Sequence, residues 1–433
     1  MIRLTVFPVA LALAAAGCEA PPAGEVATDT ESTTAPIQDS AGILIVENAR
    51  PVDGSRLGWQ VGTEPLLSIG TVEGEDDFQL HRVDDALKLS DGRIIVADGG
   101  SHQLLGFDEA GNYLTAWGQK GEGPGDFGGD YGGDGLGRPG VFWMEPWPGD
   151  SLAVCHGTFT GGRHVFSIWD TEGHHGRTLN LADLAPGNDV PKCRDVLANG
   201  TILASVAPSL LSSPAGIPET GLRRSEVDFF LVDAEGSRRP SLGKHPGAAM
   251  FWHWEDDPND SFLIMDPPFQ PTVLWAAWGE QMIVSPTDLY EIRAYRSDGS
   301  LAHIVRRDNN VRNPTQADLD SYRAENRSPN PTRDSSRKRN AAIDALPLPE
   351  SFPAFSAIVV DAPGNLWVRE YNLPEDGNRT LWTVFDPDGL VQGFIETPEG
   401  LEIYEIGGDY ILGKVKDELG VEYVQVWGLD RSG

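Results

Sequence analysis

The sequence is short of cations, of cysteine and of long apolar runs. Only 33 of its 433 residues are Lys or Arg, against 65 Asp or Glu, giving a formal charge of −32. Such a chain repels a phosphate backbone, which excludes nucleic acid as a partner. Three cysteines are too few for a disulfide-built scaffold. No Cys-x-x-Cys or helical His-x-x-x-His spacing turns His156, His164, His174 and His175 into a zinc site. Neither a Gly-x-Ser-x-Gly elbow nor a Walker or dinucleotide fingerprint occurs, so nucleotide chemistry and elbow-type serine hydrolysis lack support. With 50 Gly and 32 Pro, long helices cannot dominate. Hydrophobic residues still make up 40% of the chain, enough for a core. The length suits two or three domains, or one all-β sandwich, barrel or propeller.

The longest apolar run, Leu4 to Ala16, follows Arg3, contains Pro8 and falls short of the roughly 20 residues that a membrane span needs. Residues 1–17 therefore read as an export signal. The end of that run, Ala15-Ala16-Gly17-Cys18, resembles a bacterial lipobox, with Ala15 where the motif prefers Leu. The resemblance implies acylation of Cys18 and a mature chain held to a membrane surface, on its periplasmic or outer face, by lipid alone. An ordinary secretory signal with an incidental cysteine is the alternative. Residues 18–40, rich in Pro, Thr, Ser and acids without apolar periodicity, read as a disordered tether. Cys155 and Cys193 then stand in a compartment that permits disulfides, where they pair or stay as buried thiols.

Beyond the tether one pattern recurs about six times: an apolar segment, a tight glycine turn, a second β-run, a link, a third β-run, an Asp-x-x-Gly turn and a fourth. The inner turns are Asp91-Gly92, Gly149-Asp150, Asn199-Gly200, Gly279-Glu280, Pro363-Gly364 and Gly408-Asp409. Outer turns such as Asp170–Gly173, Asp233–Gly236 and Asp386–Gly389 join Asp, which caps its own turn, to Gly, which supplies positive φ. After each inner turn the chain is apolar at successive positions, as in Ile94-Ile95-Val96 and Met282-Ile283-Val284. A half-exposed strand would alternate, so both faces of these strands must be covered, as in sheets stacked around an axis. The last unit, from Leu401, supplies three strands, and Pro65–Gly70 reads as the strand that completes it. Ile43–Asn48 is a further strand without an assigned place. The expected fold over 41–433 is an all-β, six-bladed β-propeller with a small helical insertion over 308–350.

Three segments carry a family resemblance. Leu89 to Asp98, Gly118 to Phe127 and Val360 to Arg369 resemble the NHL-type six-bladed propellers, in particular the exported bacterial branch often found as lipoproteins. The resemblance covers roughly residues 62–430 and implies the fold; such propellers include binding modules, lyases and lactonases.

In a propeller the short turns gather on one face. The other receives the longer connections, here 119–140, 156–164, 206–227, 243–273, 306–352 and 370–379. Loops on a rigid scaffold carry binding and catalysis, which points to the mouth of the central channel on that face, although such loops also shield blade edges. Asp98, His156, Ser205, Ser285, Arg369 with Glu370, and Lys414 fall just after successive second strands. They are candidate binding residues of an uneven polar ring, or simply solvated strand ends.

Other motifs are weaker. Asp126, Asp130 and Asp134 in a Gly-rich loop offer oxygens to Ca²⁺ but match neither a β-roll nor an EF-hand, and the acidic run Glu255–Asp260 lacks the required glycine. Asn313-Pro314-Thr315 opens a helix over Gln316–Asn326, with a second over Thr332–Leu346. Nine basic residues between Arg306 and Arg339 make this either an anion-binding flap or a neutraliser of nearby acids. Tryptophans such as Trp143, Trp252, Trp254 and Trp275 suit sugar stacking or plain packing, and the Phe251–Trp254 cluster is the one expected to be partly available.

The sequence thus favours a cell-envelope lipoprotein propeller that binds a small molecule, peptide or envelope protein through its loop-rich face, with no cofactor assigned. The alternative is a Ca²⁺-dependent lactonase- or lyase-like enzyme using Asp98, His156, Asp195 and Glu370 in the channel. A structural envelope scaffold is a third reading.

Overall fold

A computed structural model describes residues 37–128, 140–157, 164–185, 189–208, 219–254, 263–309, 311–329, 334–377 and 380–433. The signal, Cys18, the tether to residue 36, Asp130, Asp134 and the acidic run 255–260 lie outside these residues.

Each inner turn opens an antiparallel sheet. Blade one is Val83–Lys88, Ile94–Asp98, Gln103–Phe107 and Tyr113–Trp117, in that order from the axis outward. Its turns follow from their residues. Gly92 takes a φ of 92°, and the Asp108 carboxylate accepts from the backbone N–H groups of Ala110 (3.0 Å) and Asn112 (2.7 Å) while Gly111 supplies a φ of 81°. Blade two is Val141–Trp147, Ser151–Gly157, His164–Asp170 and His175–Asn180. Blade five is Phe355–Val360, Leu366–Glu370, Leu381–Phe385 and Val391–Glu396.

Six apolar clusters fill the six gaps between neighbouring blades. Leu87, Ile95 and Trp117 meet Val141, Met144 and Trp169 between blades one and two, and Ile69, Leu412 and Val424 meet Val83, Ile94 and Phe107 between blades six and one. The gaps two–three, three–four, four–five and five–six are filled in the same way. This is why the second strands lack alternation: Ile94–Asp98 and Ile202–Val206 are buried at every position, because a blade packs against each of their faces. The ring is closed, and the fold is an all-β six-bladed propeller.

The N-terminal segment fastens three blades. Blade six is Glu402–Ile406, Tyr410–Lys416 and Glu422–Asp430, with Gln60–Ile69 as its outer strand, so the first part of the described chain closes the last sheet. Ile43–Asn48 lies parallel to Leu301–Arg307, the fourth strand of blade four after Val273–Trp278, Gln281–Pro286 and Glu291–Tyr295. Ile37–Ser40, read from the sequence as the end of the tether, pairs with it as a sixth strand. Between these points Leu57 N–H donates to Phe394 O on blade five at 2.6 Å. Asn48 joins blades four and five: its Nδ2 donates to Arg306 O (3.1 Å) and Gly389 O (2.9 Å), and its Oδ1 accepts from Val391 N–H (2.9 Å).

Blade three departs from the sequence reading. After Lys192–Val196 and Ile202–Val206 its outer strands run Gly221–Val232 and Arg238–His253, with Leu263–Met265 added at the edge. Much of the expected loops 206–227 and 243–273 is therefore a hairpin extended past the blade. Three register shifts along it, and Gly243, Pro246 and Gly247 within it, obscure the alternation that marks a strand. Phe251 on this hairpin packs with Leu319 and Leu346 of the helical insertion. There α1 spans Gln316–Asn326 and α2 spans Asp334–Asp344, ending two residues before Leu346, while the expected start at Thr332 lies outside the described residues. Within the expected Asn313-Pro314-Thr315 opening, Thr315 is the N-cap of α1, in a capping box with Asp318. A disulfide joins Cys155 of blade two to Cys193 of blade three.

Candidate functional site

The first strands of all six blades line an axial channel. Its cavity of about 360 Å³ is walled by Asp84 and Asp85, then Phe142, Trp143 and Glu145, then Asp195, Trp275–Ala277, Ile358–Val360, Ile403 and Tyr404. Five of the six first strands carry a bulge near the loop-rich end, at Asp84, Phe142, Arg194, Ser356 and Tyr404. A bulge bends the strand and re-aims a side chain. Three of those five residues, Asp84, Phe142 and Tyr404, face the cavity.

Carboxyl groups concentrate there. Glu145, Asp195 and Glu405 hold one register position, opposite Ala153, Leu203 and Leu412, the middle residue of each apolar triplet. Three carboxylates tie a blade to the next through its backbone. Asp85 accepts from Met144 N–H (2.6 Å), Asp195 from Ala277 N–H (2.8 Å) and Glu405 from Lys88 N–H (2.8 Å). Asp84 lies 3.5 Å from the Arg82 guanidinium. Glu145 has neither a hydrogen bond nor an ion pair among the described residues.

Burial works against ionisation of this set. It pushes Asp84 up to about 6, with Arg82 opposing, and Asp195 to about 6. Asp85 rises to about 8 against the pull of its two backbone N–H donors. Glu145 is held well above the usual carboxylate range by burial, then by the charges of Asp195, Asp85 and Glu405, and burial also raises Glu405. Aromatic rings complete the wall with their polar tips tied down: Trp143 Nε1 donates to Cys193 O (3.4 Å), Trp275 Nε1 to Arg194 O (3.0 Å) and the Tyr404 hydroxyl to Val83 O (3.0 Å). The Arg194 guanidinium lies 4.3 Å from the Trp275 ring centroid.

The residues expected to form a polar ring are mostly engaged elsewhere. The Asp98 carboxylate accepts from His81 N–H (2.7 Å) and Ser101 N–H (2.9 Å). His156 is buried, its ring edge-on to Phe127, and burial lowers it to about 4. Ser205 accepts from Arg194 Nε (2.7 Å) and Ser285 from Arg293 N–H (2.7 Å). Glu370 takes both arms of Arg307 at 2.8 and 3.0 Å, with the Tyr290 and Thr383 hydroxyls. Arg369 is half-buried, and Lys414 donates to Val83 O (2.7 Å) and pairs with Glu402 (3.0 Å). None of these seven lines the axial cavity. Of the four residues considered for a catalytic metal, only Asp195 does.

The charged flap is largely neutralised within the protein. Arg306 pairs with Glu47 and Glu291, Arg312 with Asp318 and Glu375, Arg323 with Asp320, and Arg327 with Asp344. In the Phe251–Trp254 cluster, Phe251 and Trp252 are buried in the hairpin rather than available. Asp126 closes its own turn by accepting from Gly123 N–H at 2.7 Å.

Six radial sheets with an acid-lined axis define the class, a six-bladed β-propeller. Within it, residues 71–128 match the family model DUF5128, described as a 6-bladed beta-propeller. No curated protein matches the sequence. Among solved structures, a Bacteroides fragilis protein described as exported is 11% identical with a TM-score of 0.47, covering 89% of this chain and 99% of its own. A gluconolactonase from Xanthomonas campestris is 15% identical (TM-score 0.36, 88% and 94% covered), and virginiamycin B lyase from Staphylococcus aureus 9% (0.36, 86% and 99%). Among the described residues no helix is long and apolar enough to cross a membrane.

Proposed function

We propose that this protein is an exported propeller, anchored through an acylated Cys18, that binds a small ligand in its axial channel. The ligand enters from the loop-rich face. The observation that carries the reading is the cavity of about 360 Å³ to which every blade contributes. That volume suits a small molecule or the side chain of a peptide or envelope protein, and its mixture of fixed aromatic rings and a few placed polar groups is the composition of ligand sites. The starts of the first strands, where Asp84, Phe142 and Tyr404 bulge inward, lie on the side of the blade-to-blade connections, which supports entry there. The test is a thermal-shift screen of small molecules on the wild type and on Ala277→Trp, which fills the channel. Stabilising hits that disappear in the variant support the reading, and hits insensitive to it contradict the reading.

A further inference from the structure

We infer that the axial channel takes an organic monocation, an ammonium or guanidinium group on a small apolar body, and releases a proton when it does so. The inference names the ligand class of the site proposed above and rests on that reading. Two independent features of the wall converge on it. The first is Glu145, a carboxyl in the cavity wall with no hydrogen bond or ion pair among the described residues, at the same register position as Asp195 and with Asp85 as an acidic neighbour. Asp85 and Asp195 are fixed by backbone donors of the next blade, so Glu145 is the carboxyl left to meet a ligand. The second is aromatic. Trp143, Trp275 and Tyr404 spend their polar tips on backbone carbonyls, and the indole of Trp275 already accepts one cation, Arg194, at 4.3 Å. Carboxyl and π-face together recognise a cation carried on carbon.

A bare metal ion fits less well. Among the described residues the one trio of His, Cys, Asp or Glu ligand atoms lying within 4.8 Å of one another is Cys155, His164 and Cys193, two of which form the disulfide. No three channel carboxyls are close enough to share an ion whose oxygen contacts are about 2.3–2.6 Å. A group several ångströms across reaches them one at a time.

The charged groups around Glu145 set the sign of the pH dependence. Blade one brings Asp84, Asp85 and Lys88, blade three Lys192, Arg194 and Asp195, and blade six Glu402, Tyr404, Glu405 and Lys414. The first strands of blades four and five, Val273–Trp278 and Phe355–Val360, bring none. Lys88 has its ammonium over the Tyr410 ring, Lys414 is paired with Glu402, and Arg82 stands by Asp84, so among the described residues no lysine or arginine is hydrogen-bonded to Glu145, Asp85 or Asp195. With no cation beside it, burial favours the protonated form of part of this carboxyl set. Binding then runs as a carboxylic acid plus an ammonium giving a carboxylate–ammonium pair plus one proton released to solvent, with no change in total charge. Affinity therefore rises with pH through the range near 6 to 8, where an aliphatic ammonium keeps its own proton.

The experiment is calorimetry with three matched probes, phenethylammonium, phenethyl alcohol and phenylacetate, in two buffers of different ionisation enthalpy. The expected result is binding of the ammonium at least about tenfold tighter than of the other two. It also includes release of up to one proton near pH 6.5, and a loss of about tenfold in affinity from pH 8 to pH 5.5. Glu145→Gln, whose folding is checked by its unfolding midpoint, abolishes the preference and the proton release. If the alcohol binds as tightly as the ammonium, the cation class falls while the channel remains a binding site. Ca²⁺ alone displacing the ammonium, in a Glu145-dependent way, would overturn the class in favour of a metal. Failure of all three probes, with screening hits still lost in Ala277→Trp, overturns the class alone; with no such hits, the channel reading falls too.

Discussion

Replacing Glu145 with Gln should stabilise the protein more at higher pH. In the fold this carboxyl is raised well above its ordinary value near 4.5 by burial and by its acidic neighbours. A raised folded-state value means that the native form binds a proton which the unfolded chain has given up, so the wild type carries a penalty absent below about pH 4.5. That penalty grows as pH climbs and levels off at the folded-state value. Each pH unit in this window corresponds to about 1.4 kcal/mol for one fully coupled proton. Water in the channel screens part of this, leaving a relative gain for the variant of about 1–2 kcal/mol between pH 5 and pH 7. The assay is urea unfolding of both proteins at pH 5, 6, 7 and 8. Taking the difference removes the opposite contribution of the buried histidines, among them His156 and His164, which burial lowers to about 4 and about 3. A difference that stays flat, or a wild type that gains on the variant as pH rises, would refute the reasoning and show that Glu145 is satisfied as an anion.

Three further outcomes follow from the packing between blades. Arg307→Met strands the Glu370 carboxyl in the gap between blades four and five and should cost about 3–5 kcal/mol in urea unfolding, with Arg307→Met/Glu370→Leu recovering much of it. Asn48→Ala removes three hydrogen bonds between the N-terminal strap, blade four and blade five and should cost about 1–3 kcal/mol. Serine at both Cys155 and Cys193, which lie 38 residues apart, should lower stability by about 4 kcal/mol by the chain-entropy relation. Thiol counting before and after reduction should find the pair oxidised.

How far the sequence could be read depends on the range of the interactions involved. Six blades were legible because a turn such as Asp108–Gly111 is written in four consecutive residues, and because a strand covered on both faces, such as Ile94–Asp98, is apolar throughout. The closing strand was legible as well, since Pro65–Gly70 is a lone β-run opposite a last blade with three strands. Ile43–Asn48 could not be placed, because its partner Leu301–Arg307 is more than 250 residues away and the pairing leaves no local trace. The extended hairpin of blade three hid behind its own glycines, proline and register shifts.

The site was harder to find for a similar reason. Strand ends such as Asp98, Ser205 and Lys414 stand out in the sequence, but their polar groups meet nearby backbone or side-chain partners. The channel carboxyls sit in the first strands instead. A signal for them was available: an acid embedded in the apolar segment three to six residues before the inner turn, as in Asp85, Glu145, Asp195 and Glu405. That Asp85 and Asp195 cap the backbone of the next blade while Glu145 does not is a matter of three-dimensional register, and no spacing along the chain displays it.

The most direct measurement is an anomalous-diffraction map of crystals soaked with para-bromophenethylammonium. A ligand site in the axis predicts one bromine peak inside the channel, between the first strands of blades two and four, with the ammonium within hydrogen-bond reach of Glu145. A peak confined to the surface between the blade-three hairpin and the helices, or no bromine peak in the axial channel at saturating ligand, would contradict a cation site in the axis.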